Sequence, residues 1–541
     1  MSRPAPGHPL RLTMITLVIC GATALFGPPA RAAAPTTHIV QLRADVTLGD
    51  GAALVRSAGG RVTGRLEIIH GLAVRLPRRG GERLSRDPRI ATLSSNARVR
   101  PRDVGTYEPA PSADPALTEP DPALTESDPP AAEAGWTFDR YRLATAYPFA
   151  VRAPRAWGLA TGAGVGVAVI DTGIDGSLPD FAAADGSSRV TASVITDPSA
   201  TTAADTYGHG THVAGNIAGD GGRRDPADPL AGRYVGIAPR AHLISIKAGD
   251  DEGRATVLDV IYGLQFAVEH KDDYAIRVVN LSLESTVAQS YRTDPLDAAV
   301  ESAYFHGLVV VAAAGNHGQT ADAANYAPGN DPFALTVGAI DDQGTRWRGD
   351  DAYTEWSSVG LTQDGFAKPE IGAPGAHIVS VLAPGSAFAS LCAACVVDGE
   401  YIRAGGTSMA APVVSGVAAL MLERHPEWTP DQVKSTIVAT GRKLFGGIDE
   451  VNAGDAVAVD APAAGADAGI VPNDLVDAAG GDIDYSRSSW SRSSWSLSPD
   501  QQVAGWARSS WSCTCPTSEG DAVDPTRSSW SRSSWSTRWS Y

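Results

Sequence analysis

The stretch "AGGTSMAAPVV" (Ala404–Val414) places two glycines, a threonine and a serine directly before a long apolar run. The segment "MAAPVVSGVAALML" has the length and the richness in Ala, Leu and Met that predict a buried helix. The glycines before it permit a tight turn and a close backbone approach. Ser408 therefore stands at a predicted helix start, either as an N-cap or as a nucleophile in the positive field of the helix N-terminus.

The length and the charge of the chain limit what it can be. Its 541 residues leave room for one large domain with smaller pieces beside it. The 61 acidic residues outnumber the 44 Lys and Arg residues, and the net charge is −17. A nucleic-acid partner therefore has no electrostatic support.

The first 34 residues have the pattern of a secretory signal peptide. Two arginines precede the apolar run "LTMITLVICGATALF", and the small-residue pattern Ala30-Arg31-Ala32 follows it. Cys20 lies inside the run behind the bulky Ile19, which disfavours lipidation. The run is short for a membrane span, and no other long apolar stretch follows. We therefore expect a secreted, extracellular protein without a transmembrane segment, and attachment to the cell surface stays open.

Composition divides the following residues into three parts. Residues 35–102 alternate strand-like and helix-like pieces in the order β-α-β-β-α-β, which predicts a small α+β, ferredoxin-like unit. Residues 103–140 are rich in Pro and acids and are predicted to be a linker. Residues 141–461 carry continuous apolar strands such as "GVGVAVID" between helical stretches. This pattern predicts an α/β fold with a doubly wound, mostly parallel sheet covered on both faces.

The last part, residues 462–541, is predicted to be a disordered, low-complexity tail. It carries five "RSSW" repeats and seven of the twelve tryptophans. Tryptophans spaced with Arg and Ser can stack on sugars or polymers, or lie in a membrane interface. An alternative function is therefore a catalytically silent protein that binds a surface through this tail.

The cysteines beyond the signal peptide form two close pairs, Cys392 with Cys395 and Cys513 with Cys515. Export favours disulfides over free thiols, so we expect a local bridge between Cys392 and Cys395. A ring closed by the C-x-C pair would be strained, and its state stays open. The alternative is a zinc site, although the two pairs lie about 120 residues apart.

Four polar residues follow apolar runs at glycine-marked turns: Asp171, His209, Asn316 and Ser408. A doubly wound sheet gathers its site beyond the carboxyl ends of its strands, so we expect these side chains to meet. A serine hydroxyl needs a histidine to take its proton, and the imidazole needs a carboxylate to hold its tautomer. The tetrahedral intermediate needs donors, which the Ser408 N–H and the Asn316 side-chain amide can supply.

At these residues the chain resembles the subtilisin-like serine peptidases. Six motifs occur in the family's order, namely "DTGID", "GHGTHVAG", "GIAP", "NLSL", "AAAGN" and "GTSMAAP". The resemblance implies catalytic roles for Asp171, His209 and Ser408 and an oxyanion role for Asn316. It also implies a serine endopeptidase that hydrolyses peptide bonds of protein substrates through an acyl-enzyme intermediate. We expect a monomer that requires no cofactor.

The resemblance extends to the segments around the site. The unit at 35–102 is similar to the family's inhibitory propeptide, so we expect a zymogen that is inhibited by its own propeptide and processes itself. Asp180 stands where a family calcium ligand often lies, and a structural calcium ion is an open expectation there. The family further implies a set of substrate-binding residues: Ser282, Leu283, Glu284, Ala313, Ala314 and Gly315.

The chain departs from the family's pattern at three positions. Ala411 and Val413 replace a serine and a histidine in the last motif, and neither change touches a proton-transfer role. Family members usually have glycine where this chain has Glu284. Its carboxylate would lie beside a bound substrate, and we hypothesise a preference for basic side chains near the cut. The alternative is a long side chain that turns into water.

Two other interpretations use the same residues. Asp171 in "VIDTGI" would be half of an aspartic-peptidase site, but that site needs two Asp-Thr-Gly loops and this chain has one. His209 and His212 lie three residues apart and would ligate a metal. The family's pattern instead makes His209 the base and His212 a structural neighbour.

Overall fold

The computed structural model describes residues 35–100, 139, 142–222, 224–444, 447–474 and 476. The predicted signal peptide, most of the predicted linker, the second cysteine pair and the RSSW repeats lie outside these residues. Strands and helices are numbered in chain order.

The N-terminal residues form a four-stranded antiparallel sheet with two helices. Its strands pair in the order β2-β3-β1-β4, and both helices pack on one face. This arrangement confirms the predicted ferredoxin-like unit, and a short strand β5 follows it. The elements are β1 (Thr36–Leu42), α1 (Leu48–Ser57), β2 (Arg61–Leu66), β3 (Gly71–Leu76), α2 (Arg78–Leu84), β4 (Ile90–Ser95) and β5 (Arg98–Arg100).

Alternation along β1 explains why this small sheet is covered on both faces. Val40 and Leu42 pack with residues of α1 and α2. Ile39 points the other way and belongs to an apolar core of the large domain. Successive strand residues face opposite sides of a sheet, so the small sheet shares an apolar core with the large domain.

The large domain is built on an eight-stranded sheet with the order β14-β13-β12-β10-β6-β8-β7, in which β17 also pairs with β13. All of its pairings are parallel except that of β14. The strands are β6 (Gly166–Asp171), β7 (Val190–Ile195), β8 (His242–Lys247), β10 (Ile276–Leu281), β12 (Val309–Ala313), β13 (Leu335–Asp341), β14 (Ala352–Tyr353) and β17 (Ile371–Pro374). The main helices are α5 (His209–Ala218), α6 (Val257–Glu269), α7 (Pro295–Phe305), α9 (Thr407–Arg424) and α10 (Pro430–Ala439).

Both faces of this sheet are buried, as the continuous apolar strands predict. In β6, Val167 and Val169 pack on the side of α5 and α9. Ala168 and Ile170 pack on the side of α6 and α7. The predicted doubly wound α/β fold is therefore confirmed.

The chain order reverses at β6. The chain builds β8 and β7 on one side of β6 and then places β10, β12 and β13 on the other. In such sheets ligands bind beyond the carboxyl ends of the strands at the point where the strand order reverses. Asp171 is the last residue of β6 and lies at this point.

Short elements complete the large domain. Among the described residues, no helix combines the length and the apolar character that crossing a membrane requires. The short elements are α3 (Tyr147–Ala150), α4 (Ala153–Ala156), β9 (Ala255–Thr256), β11 (Glu284–Ser285), β15 (Gly360–Leu361), β16 (Ala367–Lys368), β18 (Ile378–Val381), α8 (Ala387–Leu391), β19 (Val396–Val397), β20 (Tyr401–Ala404) and α11 (Ala453–Ala456).

The packed part of the chain extends past the predicted domain end at 461. Asp467 forms a buried ion pair with Lys434 at 2.8 Å, and Val476 is buried in the core beside α6 and α7. The Asn473 side chain donates to the carbonyl oxygen of Asp294 at 2.9 Å. The Ala-, Asp- and Gly-rich composition of this segment does not predict these contacts. The predicted boundary between the domain and the tail, at residue 461, therefore lies too early in the chain.

A group of acidic residues is buried around the start of α7. Burial raises the pKa of Asp297 well above its usual 3.8, and the nearby carboxyls of Asp294, Asp331 and Glu301 act in the same direction. The unfolded chain ionises such a carboxyl near pH 4, whereas the folded chain keeps its proton. Folding then takes up a proton, so stability falls as the pH rises above the unfolded pKa.

We expect Asp297→Asn to flatten this pH dependence. In a Ser408→Ala background, which removes the expected nucleophile, the free energy of unfolding should fall between about pH 5 and about pH 8, by up to about 1.4 kcal/mol per pH unit for each titrating group. Asparagine does not ionise, so the variant should lose less. Denaturant unfolding across this range measures the difference. Asp272→Asn, whose side chain is 90% exposed, is the control, and equal pH slopes for Asp297→Asn and its parent would contradict the expectation.

Candidate active site

Asp171 and His209 form a buried pair at the carboxyl edge of the large sheet. Oδ1 of Asp171 lies 2.7 Å from Nδ1 of His209, and the two side chains are 1% and 0% exposed. The Thr172 backbone N–H also donates to Asp171 Oδ1, at 2.7 Å. A carboxylate at this distance fixes both the orientation and the tautomer of the imidazole.

The residues around His209 determine where α5 begins. Gly208 has a φ of 104°, a region that favours glycine, and a Cβ there would lie 2.5 Å from Ser386 Oγ. The Phe388 ring packs edge-on against the imidazole, with 5.9 Å between the ring centroids. His209 is therefore held between the end of β6 and the segment 386–388.

Asp205 links the end of β6 to the start of α5 through hydrogen bonds. The sequence alone did not predict this role. Its carboxylate accepts from the backbone N–H of Gly208 at 2.7 Å, from the N–H and hydroxyl of Thr211 at 2.8 and 2.7 Å, and from the Thr172 hydroxyl at 2.8 Å. Burial raises the pKa of Asp205, and these hydrogen bonds oppose that shift. An aspartate shortly before a helix is a signal for the helix N-terminus, so the position of Asp205 before His209 could have indicated this role.

Ser408 is the second residue of α9 and not its N-cap, which is Gly406. Its hydroxyl donates to the carbonyl oxygen of Ser282 at 3.0 Å. The Ser282 hydroxyl donates in return to the carbonyl oxygen of Ser408 at 2.8 Å. The N-cap interpretation of Ser408 is therefore wrong. Ser408 lies in the first turn of α9, where the helix dipole is positive.

Asn316 is fixed against the start of α9. Its Oδ1 accepts from both the backbone N–H and the hydroxyl of Thr407, each at 3.0 Å. The Gly315 N–H donates to the same hydroxyl at 3.1 Å. Because the amide oxygen is used in this way, the amide N–H₂ of Asn316 is the part of the side chain that can face a substrate oxyanion.

His212 is a structural residue, as the family's pattern implied. Its Nε2 lies 3.2 Å and 3.1 Å from the carbonyl oxygens of Ile378 and Ile402. Burial, with a smaller contribution from His209, lowers the pKa of His212 to about 3, so the ring is neutral at neutral pH. A metal shared by His209 and His212 has no support in this arrangement, and Asp171 faces His209 rather than a second aspartate.

The groove beside the site holds a strand of the N-terminal domain. β5 lies between β9 and β11 and is antiparallel to both. The Thr286 N–H donates to the Arg98 carbonyl oxygen at 2.9 Å, and the Val257 N–H donates to that of Ala97 at 2.9 Å. The Asn96 side chain accepts from the Leu258 N–H at 3.0 Å, in the first turn of α6. Main-chain pairing of this kind is how an extended peptide is added to a sheet edge.

Two of the predicted substrate-binding residues, Leu283 and Glu284, lie beside β5. Leu283 and Val99 line one small cavity together with Asp171. Glu284 is opposite Arg100 in the β11–β5 register. Ala313 ends β12 and leads into Ala314 and Gly315, and Gly315 lies against the Glu284 carboxylate. Their role toward a substrate stays a prediction.

Asp180 is engaged by protein side chains. Its carboxylate accepts from the Tyr401 hydroxyl at 2.8 Å and lies 3.2 Å from the buried Arg224 guanidinium, which also contacts Glu400 at 2.7 Å. Because a guanidinium faces the carboxylate, these side chains do not fit a calcium site as arranged. No group of three or more His, Cys, Asp or Glu side chains in the described part of the chain is placed to hold a metal ion. Calcium at Asp180 stays a prediction, and no step of the mechanism depends on it.

The first cysteine pair lies between α8 and β19. The structure joins Cys392 and Cys395 through their sulfur atoms, with Cα atoms 5.2 Å apart. The bridge closes a tight turn, and Phe388 of the preceding α8 packs against His209. The predicted zinc alternative involves the second pair, which lies outside the described residues.

Fold and site together define a doubly wound α/β protein with an Asp-His pair and a serine-bearing helix start at one sheet edge. Comparison with protein families identifies the class: the model of the subtilase family (Peptidase_S8) matches residues 162–457, more than half of the chain. The chain belongs to the subtilase family.

Relatives with known names agree with this assignment. Serine protease AprX of Bacillus subtilis (strain 168) is 36% identical over 282 residues, which cover 51% of this chain and 61% of that protein. Subtilisin E of the same organism is 35% identical over 286 residues, which cover 52% of this chain and 62% of that protein. The matched part of the chain thus spans about three fifths of these relatives.

Among solved structures, the chain is similar in fold to fervidolysin from Fervidobacterium pennivorans, which is described as a keratinolytic enzyme related to subtilisin. The TM-score is 0.59 at 22% identity, and the match covers 80% of this chain and 62% of that one. At this identity the likeness concerns the fold alone.

We expect Asp205→Ala to lower both stability and turnover. The helix start would lose its acceptor, which costs about 1–2 kcal/mol of unfolding free energy, and His209 would be held less firmly, so kcat should fall more than KM rises. Asp185→Ala is the matched control, because Asp185 makes the same kind of bonds to Ser187 in an exposed loop. If both variants behaved alike in kcat, Asp205 would have no positioning role.

Proposed function

We propose that the protein is a secreted serine endopeptidase, made as an inactive precursor, that cuts peptide bonds of proteins through an acyl-enzyme intermediate. One observation carries the proposal: the buried 2.7 Å contact between Asp171 and His209 lies at the sheet edge where the first turn of α9 carries Ser408. Membership of the subtilase family supports the same chemistry.

His209 acts as the general base toward Ser408. Because its Nδ1 is bonded to Asp171, the lone pair for proton transfer is on Nε2. As the Ser408 oxygen attacks a peptide carbonyl, its proton moves to Nε2, and the Asp171 carboxylate stabilises the resulting imidazolium. His209 then gives this proton to the leaving amine. The Ser408 hydroxyl has to turn from the Ser282 carbonyl, its present acceptor, toward the base.

The Asn316 amide and the Ser408 N–H stabilise the tetrahedral oxyanion. The amide is oriented before the reaction by its two contacts with Thr407, so little reorganisation is needed when the charge develops. The Ser408 N–H belongs to the first turn of α9, where the helix dipole favours negative charge. Water then attacks the acyl-enzyme with His209 again as the base, which completes hydrolysis.

Residues 35–102 serve as an inhibitory propeptide in this proposal. The position of β5 in the groove supports it, because a strand that fills the groove excludes a substrate. The apolar core that Ile39 shares with the large domain holds the two parts together. Export through the N-terminal signal supports an oxidised Cys392–Cys395 bridge, since disulfides persist outside the cytosol.

The decisive variant is Ser408→Ala. We expect it to lose at least about 10⁴-fold in peptide hydrolysis and all labelling by a fluorophosphonate probe, and to accumulate as an uncut precursor. Activity assays, gel fluorescence and mass spectrometry of the intact chain measure the three effects. Ser415→Ala, a buried serine on the same helix, is the control. Full activity in Ser408→Ala would overturn the serine mechanism and leave the surface-binding tail as the alternative function.

Asn316→Asp tests the oxyanion role without removing the contacts to Thr407. Aspartate keeps an oxygen for the Thr407 N–H but replaces the amide donor with a second oxygen. We expect kcat to fall by about 10²–10³-fold, a magnitude taken from a subtilisin rather than from this chain, with a small change in KM. Steady-state kinetics on one peptide substrate measures the split. A rise in KM alone would assign Asn316 to substrate binding instead.

A further inference from the structure

Phe388 is a buried aromatic residue beside the proposed base. It is 3% exposed, and its ring packs edge-on against the His209 imidazole, with 5.9 Å between the centroids and 84° between the planes. Its centroid also lies 5.7 Å from that of Tyr207 and 6.2 Å from that of His212. The Asp171 carboxylate restrains one ring nitrogen of His209. Packing by Phe388 adds a restraint on the tilt of the imidazole and therefore on the position of Nε2.

The backbone of the same segment holds the turn that leads into α5. The Ala387 N–H donates to the Thr206 carbonyl oxygen at 2.9 Å. The Phe388 N–H donates to the Tyr207 carbonyl oxygen at the same distance of 2.9 Å. A Cβ added to Gly208 would lie 2.9 Å from the Phe388 Cβ, so the two segments are in close contact. A shift of Phe388 would therefore move the turn from which α5 begins.

Helix α8 cannot keep Phe388 in this position by itself. It is five residues long, and a helix of this length is unstable in water without packing. All five residues are described, and Phe388 alone among them is buried. Leu391, the last residue of the helix, is exposed. The position of the Phe388 ring therefore depends on what holds the far end of α8.

The Cys392–Cys395 bridge holds that end. Cys392 directly follows α8, and its sulfur is joined to that of the buried Cys395, which directly precedes β19. β19 pairs with β20, and the Ile402 carbonyl oxygen of β20 contacts His212 of α5. β20 leads through two glycines to α9 and Ser408. The bridge therefore anchors α8 to a sheet that is bonded to α5 and continues to the proposed nucleophile.

The loop that the bridge closes is short and lies at the surface. Its cysteines are three positions apart in the sequence, and a bridge that closes a short loop stabilises a fold less than one that closes a long loop. Ala393 and Ala394 are exposed, and Cys392 is half-buried, so a small reagent can reach the bridge. We therefore expect reduction to loosen α8 while the domain stays folded.

We propose that Phe388 is a positioning residue for His209 and that the Cys392–Cys395 bridge holds it in place, so that full turnover requires the oxidised bridge. This inference rests on the proposed endopeptidase function and deepens it. Because disulfides persist outside the cytosol and are rare inside it, full turnover would follow export.

The reductant that opens the bridge is a dithiol. One thiolate of the dithiol attacks a sulfur of the bridge and displaces the other cysteine as a thiolate. The second thiol of the reagent then displaces the attacked cysteine and closes a cyclic disulfide. Two electrons and two protons thus pass from the reagent to the two cysteines.

The first test compares the full-length chain, after it has processed itself, with the double variant Cys392→Ser, Cys395→Ser. We expect kcat on one peptide substrate to be lower in the variant by about 10–10²-fold, as for a slightly misplaced catalytic group, with KM nearly unchanged. Turnover is counted per site labelled by a fluorophosphonate, and denaturant unfolding verifies that both proteins are folded in the assay. Full kcat in the double variant overturns the proposal.

Reduction of the unmodified protein tests the same change without a substitution. Dithiothreitol should lower kcat to the level of the double variant and should leave the double variant itself unchanged. Alkylation and peptide mass spectrometry verify that the bridge has opened, and re-oxidation should restore kcat. Cys513 and Cys515 are still present in the double variant. A loss of turnover there on reduction would assign the sensitivity to this second pair and contradict the proposal.

Phe388→Ala tests whether the bridge acts through this ring. We expect a loss of kcat about equal to that of the double variant, and Phe388→Leu, which keeps a large apolar side chain, should recover most of it. Phe333→Ala is the matched control and should keep kcat, because Phe333 is 4% exposed and packs against Tyr304 and Phe305 instead.

Dithiothreitol should lower kcat no further in Phe388→Ala, since two changes that act through one contact are not additive. A further loss as large as in the unmodified protein would show that the bridge acts by another route, and it would overturn the proposal.

Fluorophosphonate labelling of Ser408 separates a failure of this inference from a failure of the proposed function. The probe also requires a serine activated by His209, so the rate of labelling should fall in parallel with kcat on reduction. Equal labelling rates in the oxidised and the reduced protein would reject this inference alone. Absence of labelling in the unmodified, oxidised protein would reject the endopeptidase function itself.

Discussion

The contact between the Asp171 carboxylate and the His209 imidazole is the constraint on which the rest of the structure depends. Both groups are almost completely removed from water. In such a buried position an unpaired charge would be costly, whereas a paired charge is held firmly by its partner. Neither residue could keep this geometry alone. The end of β6 positions one, the start of α5 positions the other, and Asp205 and Thr172 bind the two segments together through hydrogen bonds. These hydrogen bonds therefore fix the orientation of the His209 ring relative to the end of β6.

The groove follows from a second constraint, which is that extended chains pair through their backbone. β9 and β11 present free edges of the large domain to β5, and these hydrogen bonds involve no side chain. Backbone pairing binds many sequences about equally well, so selectivity has to come from the walls. Glu284 is a buried acid in one wall, with its carboxylate against His317 and Gly315. The same N-terminal segment that fills the groove also caps the first turn of α6 through Asn96 and Ala97.

Much of the fold could be predicted because buried parallel strands are continuous apolar runs. The last six residues of "GVGVAVID" become β6, each of them buried, and "MAAPVVSGVAALML" becomes the buried part of α9. The Asp, His, Ser and Asn positions could be predicted because each ends or begins such a run. Asp205 and Arg224 were missed, since their role arises from partners distant along the chain. The domain end was placed too early because Asn473 and Val476 are held by individual contacts, which composition does not reveal.

The sequence by itself determined the class of the fold and which residues are the candidates for the reaction, because apolar periodicity and glycine-marked turns are local properties of the chain. It also showed an acid at 284 but not its surroundings. Only the tertiary structure decided that Ser408 is inside the first turn of α9 rather than its cap, that Arg224 faces Asp180, and that Glu284 is buried against His317 and Gly315. These facts depend on which segments pack together, and packing is a property of the folded chain as a whole.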